Sequence, residues 1–310
     1  MACPDFQSLT LPLLTASAHG QDTSLSELRA DIVRQLALSD DDRAETIPSG
    51  QSKLNNRSNW AAVYLTEAGL MEWVRRGTYR ITTRGRQVLE QKPPRIDVQF
   101  LSQYDEFKAW KNRARDTTGP PSATAVAAPV ELDESSVTPE EEIDAGYTAL
   151  RRTVESELIT RILNGSPKFF EDLVVELLVT MGYGGSRTDA GAALGKSGDG
   201  GIDGIIKEDR LGLDAIYIQA KRWDPKHRVS RPDVQAFAGS LEGARARKGV
   251  FITTSRFSGE AHDYVSRIEK KIVLIDGPHL SALMFDHGVG VRTKKVYEVK
   301  EVDEEYFLDD

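Results

Sequence analysis

The chain has 310 residues, a formal net charge of −8 and 39% hydrophobic residues. This length favours two domains, and the composition is that of a globular protein rather than a fibrous one. The single cysteine, Cys3, excludes an internal disulfide, and no apolar run reaches membrane-spanning length. We therefore predict an intracellular, cytoplasmic protein.

Residues 1–112 have the pattern of a winged helix-turn-helix domain. The apolar run at 9–18 predicts a buried first helix, because no basic residue precedes it as in a signal peptide. Ser24 and Glu27 stand at capping-box spacing before a second helix, and "SNWAAVYLTEAGL" predicts a third. "LMEWVRRGTYRIT" predicts two short strands joined as a hairpin, and Thr83 caps a further helix.

The distribution of charge predicts a DNA-binding surface in this region. Residues 53–95 contain nine basic and three acidic side chains, whereas seven acids and no basic residue lie in 131–144. Arg75 and Arg76 in the hairpin turn should contact phosphates. Polar side chains near the start of the third helix could read base edges in the major groove, with capping and loop roles as the alternative. These are Asn55, Asn56, Arg57 and Asn59.

The rest of the chain divides into a linker, a second domain and a tail. Small residues, prolines and acids at 113–138 predict a flexible linker, and residues 293–310 form an acidic tail. Thr138, Pro139 and Glu141 have the types and spacing of a helix start. Helices alternate with strands over 139–292, which predicts an α/β/α domain with a central mixed sheet.

Two strands of the second domain bring chemically active residues together. In "AIYIQAKR" the alternation of side chains puts Ile216, Ile218 and Ala220 on an apolar face, with Gln219 and Lys221 on the other. If "GIDGII" pairs with this strand as a hairpin, Asp203 lies near the Lys221 end. A carboxylate, an amide and an ammonium at one sheet edge suit metal-assisted phosphodiester cleavage. The alternative is a capping aspartate and a solvated lysine.

The wider pattern resembles the Mrr-type restriction endonucleases, a branch of the PD-(D/E)xK nuclease superfamily. The resemblance lies in D-x(15)-Q-x-K, in "FFEDLVVELLVTMGYGG" upstream and in "GVFITTSRFSGEA" downstream, over about residues 160–290. The N-terminal region more loosely resembles the winged-helix domain of the same family. The resemblance implies a Mg²⁺-dependent endonuclease that restricts methylated double-stranded DNA, and cutting both strands favours a dimer or larger homo-oligomer.

The resemblance also assigns roles to residues. It makes Asp203 the metal-binding acid, gives Gln219 the second motif position and makes Lys221 the catalytic lysine. It directs the carbonyl of Ala220 to the metal and matches Glu171 to the first-helix glutamate of the family. Gln219 departs from the usual second acid, so Glu171 is expected to supply the missing charge. The helical periodicity alone does not separate Glu171 from Glu176, which flank the apolar face on opposite sides.

Two further segments and two rival functions complete the predictions. "AGAALGKS" at 190–197 fits a relaxed phosphate loop, but its flanks lack the required strand and helix, so Lys196 is expected to contact DNA instead of ATP. The basic loop 221–231 should contact the DNA backbone, although an ordinary solvated loop is the alternative. Its predicted contacts are Arg222, Lys226 and Arg228. The rival functions are a repair or junction-processing nuclease and a DNA-binding regulator without nuclease activity.

Overall fold

A computed structural model describes residues 3–116, 136–184, 201–208, 214–302 and 306. The chain forms two compact units, one of residues 1–147 with 300–310 and one of residues 148–299. This division differs from the predicted domain boundary at 139, and it falls inside a single helix, Pro139–Asn164. The helix Asp105–Asp116 also continues past residue 112, where the linker was predicted to follow.

The first unit is built from helices around one apolar core. The predicted buried first helix is confirmed, because its apolar side chains are among the most buried of this core. Ser24 and Glu27 form the predicted capping box at the start of the second helix. The helices are α1 (Phe6–Ala16), α2 (Leu25–Gln35), α3 (Asp40–Ala44), α4 (Lys53–Glu67), α5 (Thr83–Glu90), α6 (Val98–Leu101) and α7 (Asp105–Asp116), followed by the start of α8 (Pro139–Asn164).

A small antiparallel sheet forms the wing of this unit. The predicted hairpin is confirmed as β2 (Met71–Arg75) and β3 (Thr78–Ile81), and Gly77 in its turn has a φ of 58°. A third strand, β1 (Thr23–Ser24), pairs with β3, so the order is β1-β3-β2. The sequence prediction missed β1 because two residues are too few to show an alternating pattern.

The start of α8 packs on α4 within the first unit. Thr138 and Glu141 form a capping box, as the sequence predicted. Oγ1 of Thr138 donates to Oδ1 of Asn56 at 2.5 Å, and the Trp60 indole donates to Glu140 at 2.6 Å. These contacts hold the acidic start of α8 against one face of α4.

The second unit has the predicted α/β/α architecture with a mixed sheet. The sheet order is β4-β5-β6-β7, with β4 antiparallel to β5 and the other pairs parallel. Apart from the end of α8, its helices are α9 (Pro167–Thr180), α10 (Arg231–Gly243), α11 (Gly259–Arg267) and α12 (Gly277–Asp286). Its strands are β4 (Gly204–Lys207), β5 (Ala215–Lys221), β6 (Lys248–Thr253) and β7 (Lys271–Ile275).

Each face of this sheet is covered by its own apolar core. Ile216 and Ile218 of β5 pack with the end of α8, with α9 and with α12. Tyr217, one position along, belongs instead to the core under α10 and α11. The predicted alternation of β5 is therefore confirmed. In the part of the chain that the structure describes, no helix has the length and apolarity needed to cross a membrane.

Candidate functional site

The strand register sets Asp203 beside the end of β5. Gly204 pairs with Ile218, and the backbone N–H of Asp203 donates to the carbonyl of Ile218 at 2.8 Å. Continued by one residue, the ladder puts Asp203 opposite Gln219. Oδ2 of Asp203 then accepts a hydrogen bond from the backbone N–H of Ala220 at 2.8 Å. The carboxylate therefore lies against the residue that separates Gln219 from Lys221.

Gln219 is buried below a glycine. Its exposed fraction is 6%, and its Nε2 lies 2.9 Å from the position that a Cβ on Gly201 would occupy. Gly201 has a φ of 102°, a conformation that side chains other than glycine rarely adopt. Oε1 of Gln219 is buried and has no hydrogen-bond partner among the described residues. A buried acceptor without a partner is costly, so this oxygen is a candidate ligand for a cation.

The carbonyl of Lys221 is fixed by donors from three residues. It accepts from the backbone N–H of Trp223 at 3.0 Å, from the Thr253 hydroxyl at 2.8 Å and from the N–H of Thr254 at 3.3 Å. The Lys221 side chain is half-buried. These bonds anchor the end of β5 to β6 and so limit where the lysine can reach.

Glu171 and Glu176 differ in their surroundings on α9. Glu171 is half-buried next to the core residue Phe170, whereas Glu176 is exposed. However, α9 covers the face of the sheet that carries Ile216 and Ile218, and Gln219 belongs to the opposite face. To reach a metal ion beside Asp203 and Gln219, the Glu171 side chain would have to extend past the edge of the sheet at β4. Its role as a metal ligand stays a prediction.

The basic loop after β5 is held against the segment that follows β6. The hydroxyls of Thr254 and Ser255 donate to the carbonyls of Trp223 and His227, at 2.7 Å for the first pair, and Val229 bridges to Phe257. Two predicted contact residues, Lys226 and Arg228, are exposed on this loop.

Two other predicted contact residues have a different setting. Arg222 is half-buried and its guanidinium donates to the carbonyl of Leu163, while its Nε is buried without a partner among the described residues. This hydrogen bond gives Arg222 a role inside the second unit. Lys196 lies outside the described residues.

The predicted DNA-contact residues of the first unit fall into two groups. Arg75 and Arg76 are exposed at the hairpin turn, and Asn59 is exposed on α4. Arg57 is turned inward: its side chain is 12% exposed, pairs with Glu141 at 2.9 Å and donates to the carbonyls of Cys3 and Pro4. The Arg57 guanidinium is therefore engaged within the first unit, and this disagrees with the predicted DNA contact. The sequence predicted a DNA contact because Arg57 lies near the start of a helix among polar residues. It gave no sign of the ion pair, because the partner Glu141 lies 84 residues away.

One contact to Asn59 was not indicated by the sequence. Arg29 of α2 donates through Nε to the Ser58 hydroxyl at 2.7 Å and through Nη2 to Oδ1 of Asn59 at 2.6 Å. Burial lowers the pKa of its guanidinium. Local sequence offers no signal for this role, since the contacts cross from one helix to another.

A separate cavity of about 400 Å³ lies beside the end of α8 in the second unit. Arg152, Glu155, Arg256 and Pro278 are among its lining residues, and none of Asp203, Gln219 and Lys221 lines it. Among the residues described, no group of three or more His, Cys, Asp or Glu side chains is arranged to hold a metal ion. With the described residues alone, amide or backbone oxygens would have to complete a metal site at the end of β5.

Comparisons with known proteins match both units to models of the same protein family. Residues 162–284 match a family model described as "Restriction endonuclease", and residues 6–91 match the "Mrr N-terminal domain". The chain is 34% identical over 316 residues to the "Type IV methyl-directed restriction enzyme EcoKMrr" of Escherichia coli K12, covering 99% of this chain and 100% of that protein. The chain belongs to the Mrr family of restriction endonucleases.

Two solved structures are similar to this chain at lower sequence identity than the Escherichia coli protein. The MspJI restriction endonuclease in complex with a 27-mer oligonucleotide is 20% identical, with a TM-score of 0.30 over 67% of this chain. The DNA modification-dependent restriction endonuclease AspBHI is 16% identical, with a TM-score of 0.35 over 69% of this chain. The match covers about half of each solved chain, 47% and 53% respectively.

Proposed function

We propose that this protein is a Mg²⁺-dependent endonuclease that hydrolyses phosphodiester bonds in methylated double-stranded DNA. Family membership supports endonuclease activity, and restriction-endonuclease domains of this kind generally use a divalent metal ion. The observation that carries the proposal is the hydrogen bond between Oδ2 of Asp203 and the N–H of Ala220, between Gln219 and Lys221. It puts the acid of the motif against the backbone of the residue between the amide and the lysine, at the end of one strand.

The groups at this strand end suit a hard cation such as Mg²⁺, which prefers oxygen ligands. Asp203 has a second carboxylate oxygen besides the one bound to Ala220. Oε1 of Gln219 is buried without a partner among the described residues. In an extended strand the N–H and C=O of one residue point to the same side, so the Ala220 carbonyl faces Asp203. We propose that these oxygens bind Mg²⁺, with Glu171 adding a second negative charge.

The side chains then divide the chemistry of hydrolysis. When bound, the metal polarises the scissile phosphate and lowers the pKa of a coordinated water. Lys221 orients the attacking water and offsets the negative charge that develops on the phosphate oxygens. A bond forms between the water oxygen and phosphorus, and the bond from phosphorus to the leaving deoxyribose oxygen breaks. The water gives up its proton to solvent, and the leaving oxygen takes one from solvent. Gly201 leaves room for Gln219 to hold its position.

The DNA would be held by cations on both units. We propose phosphate contacts from Arg75 and Arg76 on the wing, from Lys226 and Arg228 on the loop after β5, and from Lys196. Arg222 is a weaker candidate, because its guanidinium is engaged by Leu163. Two active centres allow both strands to be cut in one binding event, so we also propose that the protein acts as a dimer or a larger homo-oligomer.

The methylated substrate is proposed from the Escherichia coli relative, whose name describes a methyl-directed enzyme. The test is to incubate plasmid DNA, prepared with and without methyltransferase treatment, with the protein in Mg²⁺ or in EDTA. We expect cleavage of methylated plasmid in Mg²⁺ alone. Cleavage that persists in EDTA would contradict the metal requirement. Equal cleavage of unmethylated plasmid would contradict the proposed substrate, and a preference for unmethylated branched DNA would instead support a repair nuclease.

A further inference from the structure

Helix α4, whose start was predicted to read base edges, contains an exposed side chain whose orientation is set by another helix. Asn59 is exposed, and its Oδ1 accepts from Nη2 of Arg29 at 2.6 Å. Nε of the same guanidinium donates to Oγ of Ser58 at 2.7 Å, and Ser58 is fully buried. One rigid, planar group of α2 therefore holds two consecutive residues of α4.

The direction of each hydrogen bond in this network is determined. Oγ of Ser58 donates to the carbonyl of Leu54 at 2.7 Å, so its lone pairs are left to accept from Arg29. A guanidinium carries donors only, so the atom of Asn59 that faces it must be the amide oxygen. The amide orientation of Asn59 thus follows from chemistry, whereas that of many exposed amides is ambiguous.

This arrangement restricts what Asn59 can present to DNA. Its Oδ1 already accepts a charge-assisted hydrogen bond, and its Nδ2 is the end of the amide that points away from Nη2 of Arg29. In the major groove, guanine offers N7 and O6 as acceptors, adenine offers N7 and thymine offers O4. Cytosine offers an amino donor instead. A fixed amide that presents its N–H bonds therefore discriminates against cytosine.

We propose that Arg29 is a positioning residue that locks Asn59 as a hydrogen-bond donor, so that one position of the recognised DNA must carry a major-groove acceptor. This inference rests on the proposed function, because it requires the protein to bind DNA, and it adds that α4 lies in the major groove. Arg29 itself acts through Asn59 and need not touch DNA. Loss of Arg29 would free the amide to rotate and would relax the base preference at that one position.

Asn55 provides a matched control on the same helix. It is one helical turn before Asn59 and is also exposed. Within the described ranges, its side-chain amide has no hydrogen-bond partner, and only its backbone carbonyl meets the Arg29 network, by accepting from the Ser58 hydroxyl at 3.1 Å. Arg34, an exposed arginine of α2 that pairs with Asp31, controls for the loss of one positive charge.

The test is selection of binding sequences from random duplex DNA in EDTA, followed by competition binding at several salt concentrations. We expect the unaltered protein to disfavour cytosine at one position by about fivefold or more. Asn59→Ala should erase that preference, and Arg29→Met should relax it. In the double variant Arg29→Met with Asn59→Ala, the base preference should be nearly the same as in Asn59→Ala alone. In the double variant Arg29→Met with Asn55→Ala, the two changes in base preference should be additive. Arg34→Met should leave the preference unchanged.

Asn59→Asp gives an independent test that keeps the partner of Arg29. The carboxylate still accepts from the guanidinium, but it offers an acceptor to the groove in place of the amide donors. We expect the preference at that position to shift toward cytosine, whose amino group donates to carboxylates. Thermal melting of each variant would show that it is folded.

Three outcomes separate this inference from the proposed function. A variant Arg29→Met that binds all sequences more weakly, with a salt slope reduced by about one, would make Arg29 a phosphate contact and overturn the inference. Asn59 variants that leave every base preference intact would overturn it as well, while DNA binding itself stands. A folded, unaltered protein that binds no DNA would overturn the proposed function.

Discussion

The two units place their predicted functional residues in different ways. In the second unit, the register of two adjacent strands sets Asp203 opposite Gln219 and next to the backbone of Ala220, one residue before Lys221. In the first unit, Asn59 is exposed on α4, whereas Arg57, two residues before it, pairs with Glu141 in the interior. The register of a strand pair determines which side chains lie next to each other. Which face of a helix is exposed depends on the elements that pack against it.

The largest expected effect is at the strand end of the second unit. Lys221→Ala should lower the cleavage rate by about 10²- to 10⁴-fold, because the variant loses the group that orients water and offsets charge. DNA binding in EDTA should be retained. The control is Lys207→Ala, which removes an exposed lysine from the other end of the same strand pair. Normal cleavage by Lys221→Ala would remove the assigned role.

The next effect concerns Arg57 in the first unit. Arg57→Ala should lower the free energy of unfolding by about 3 kcal/mol, because it leaves the buried Glu141 carboxylate without its cation. Chemical denaturation of the isolated chain measures this. Arg34→Ala, at an exposed pair, should change stability far less. If Arg57→Ala were as stable as the parent and had a lower salt slope for DNA, Arg57 would belong to the DNA surface after all.

A smaller effect is expected at Gly201, which tests whether Gln219 must hold its position. A Cβ there would lie 2.9 Å from Nε2 of Gln219, so Gly201→Ala should displace the amide and lower cleavage by about tenfold. Gly182→Ala is the matched control, because Gly182 has a similar φ of 104° and a Cβ added to it would meet nothing within 4 Å. Both variants should lose about 1 kcal/mol of stability from backbone strain. Equal cleavage by the two would show that the position of Gln219 is not critical.

The smallest effect is expected at the wing. Replacing Arg75 and Arg76 together by alanine should weaken DNA binding a few-fold and reduce the salt slope by about two, because two phosphate contacts are lost. Folding should be unaffected, since both side chains are exposed. Titration of binding at several salt concentrations measures the slope. An unchanged slope would exclude the wing as a phosphate contact.

The predictions from sequence were most successful where a pattern repeats locally. The alternation of β5 and the order of helices and strands in the second unit were predicted because strand side chains alternate and helix starts carry capping residues. The hairpin at Gly77 followed from its turn residues. Each of these features is encoded within a short run of neighbouring residues.

The features that the sequence did not predict depend on contacts between distant segments. Nothing near Arg57 indicates that Glu141 packs on it, and nothing near Arg29 indicates that it meets Asn59. The position of Glu171 relative to Asp203 likewise depends on how a helix sits at a sheet edge. The two-residue strand β1 exists only because β3 lies beside it.

Because the start of α8 packs on α4, a stable fragment of the N-terminal unit must include the start of α8. A fragment that stops at residue 112 would remove Glu141 from Arg57, Glu140 from Trp60 and Thr138 from Asn56. It would expose the buried Asn56 side chain and leave the Arg57 guanidinium with only the backbone carbonyls of Cys3 and Pro4. A fragment that ends after residue 147 retains all three contacts, so the shorter fragment should be the less stable of the two.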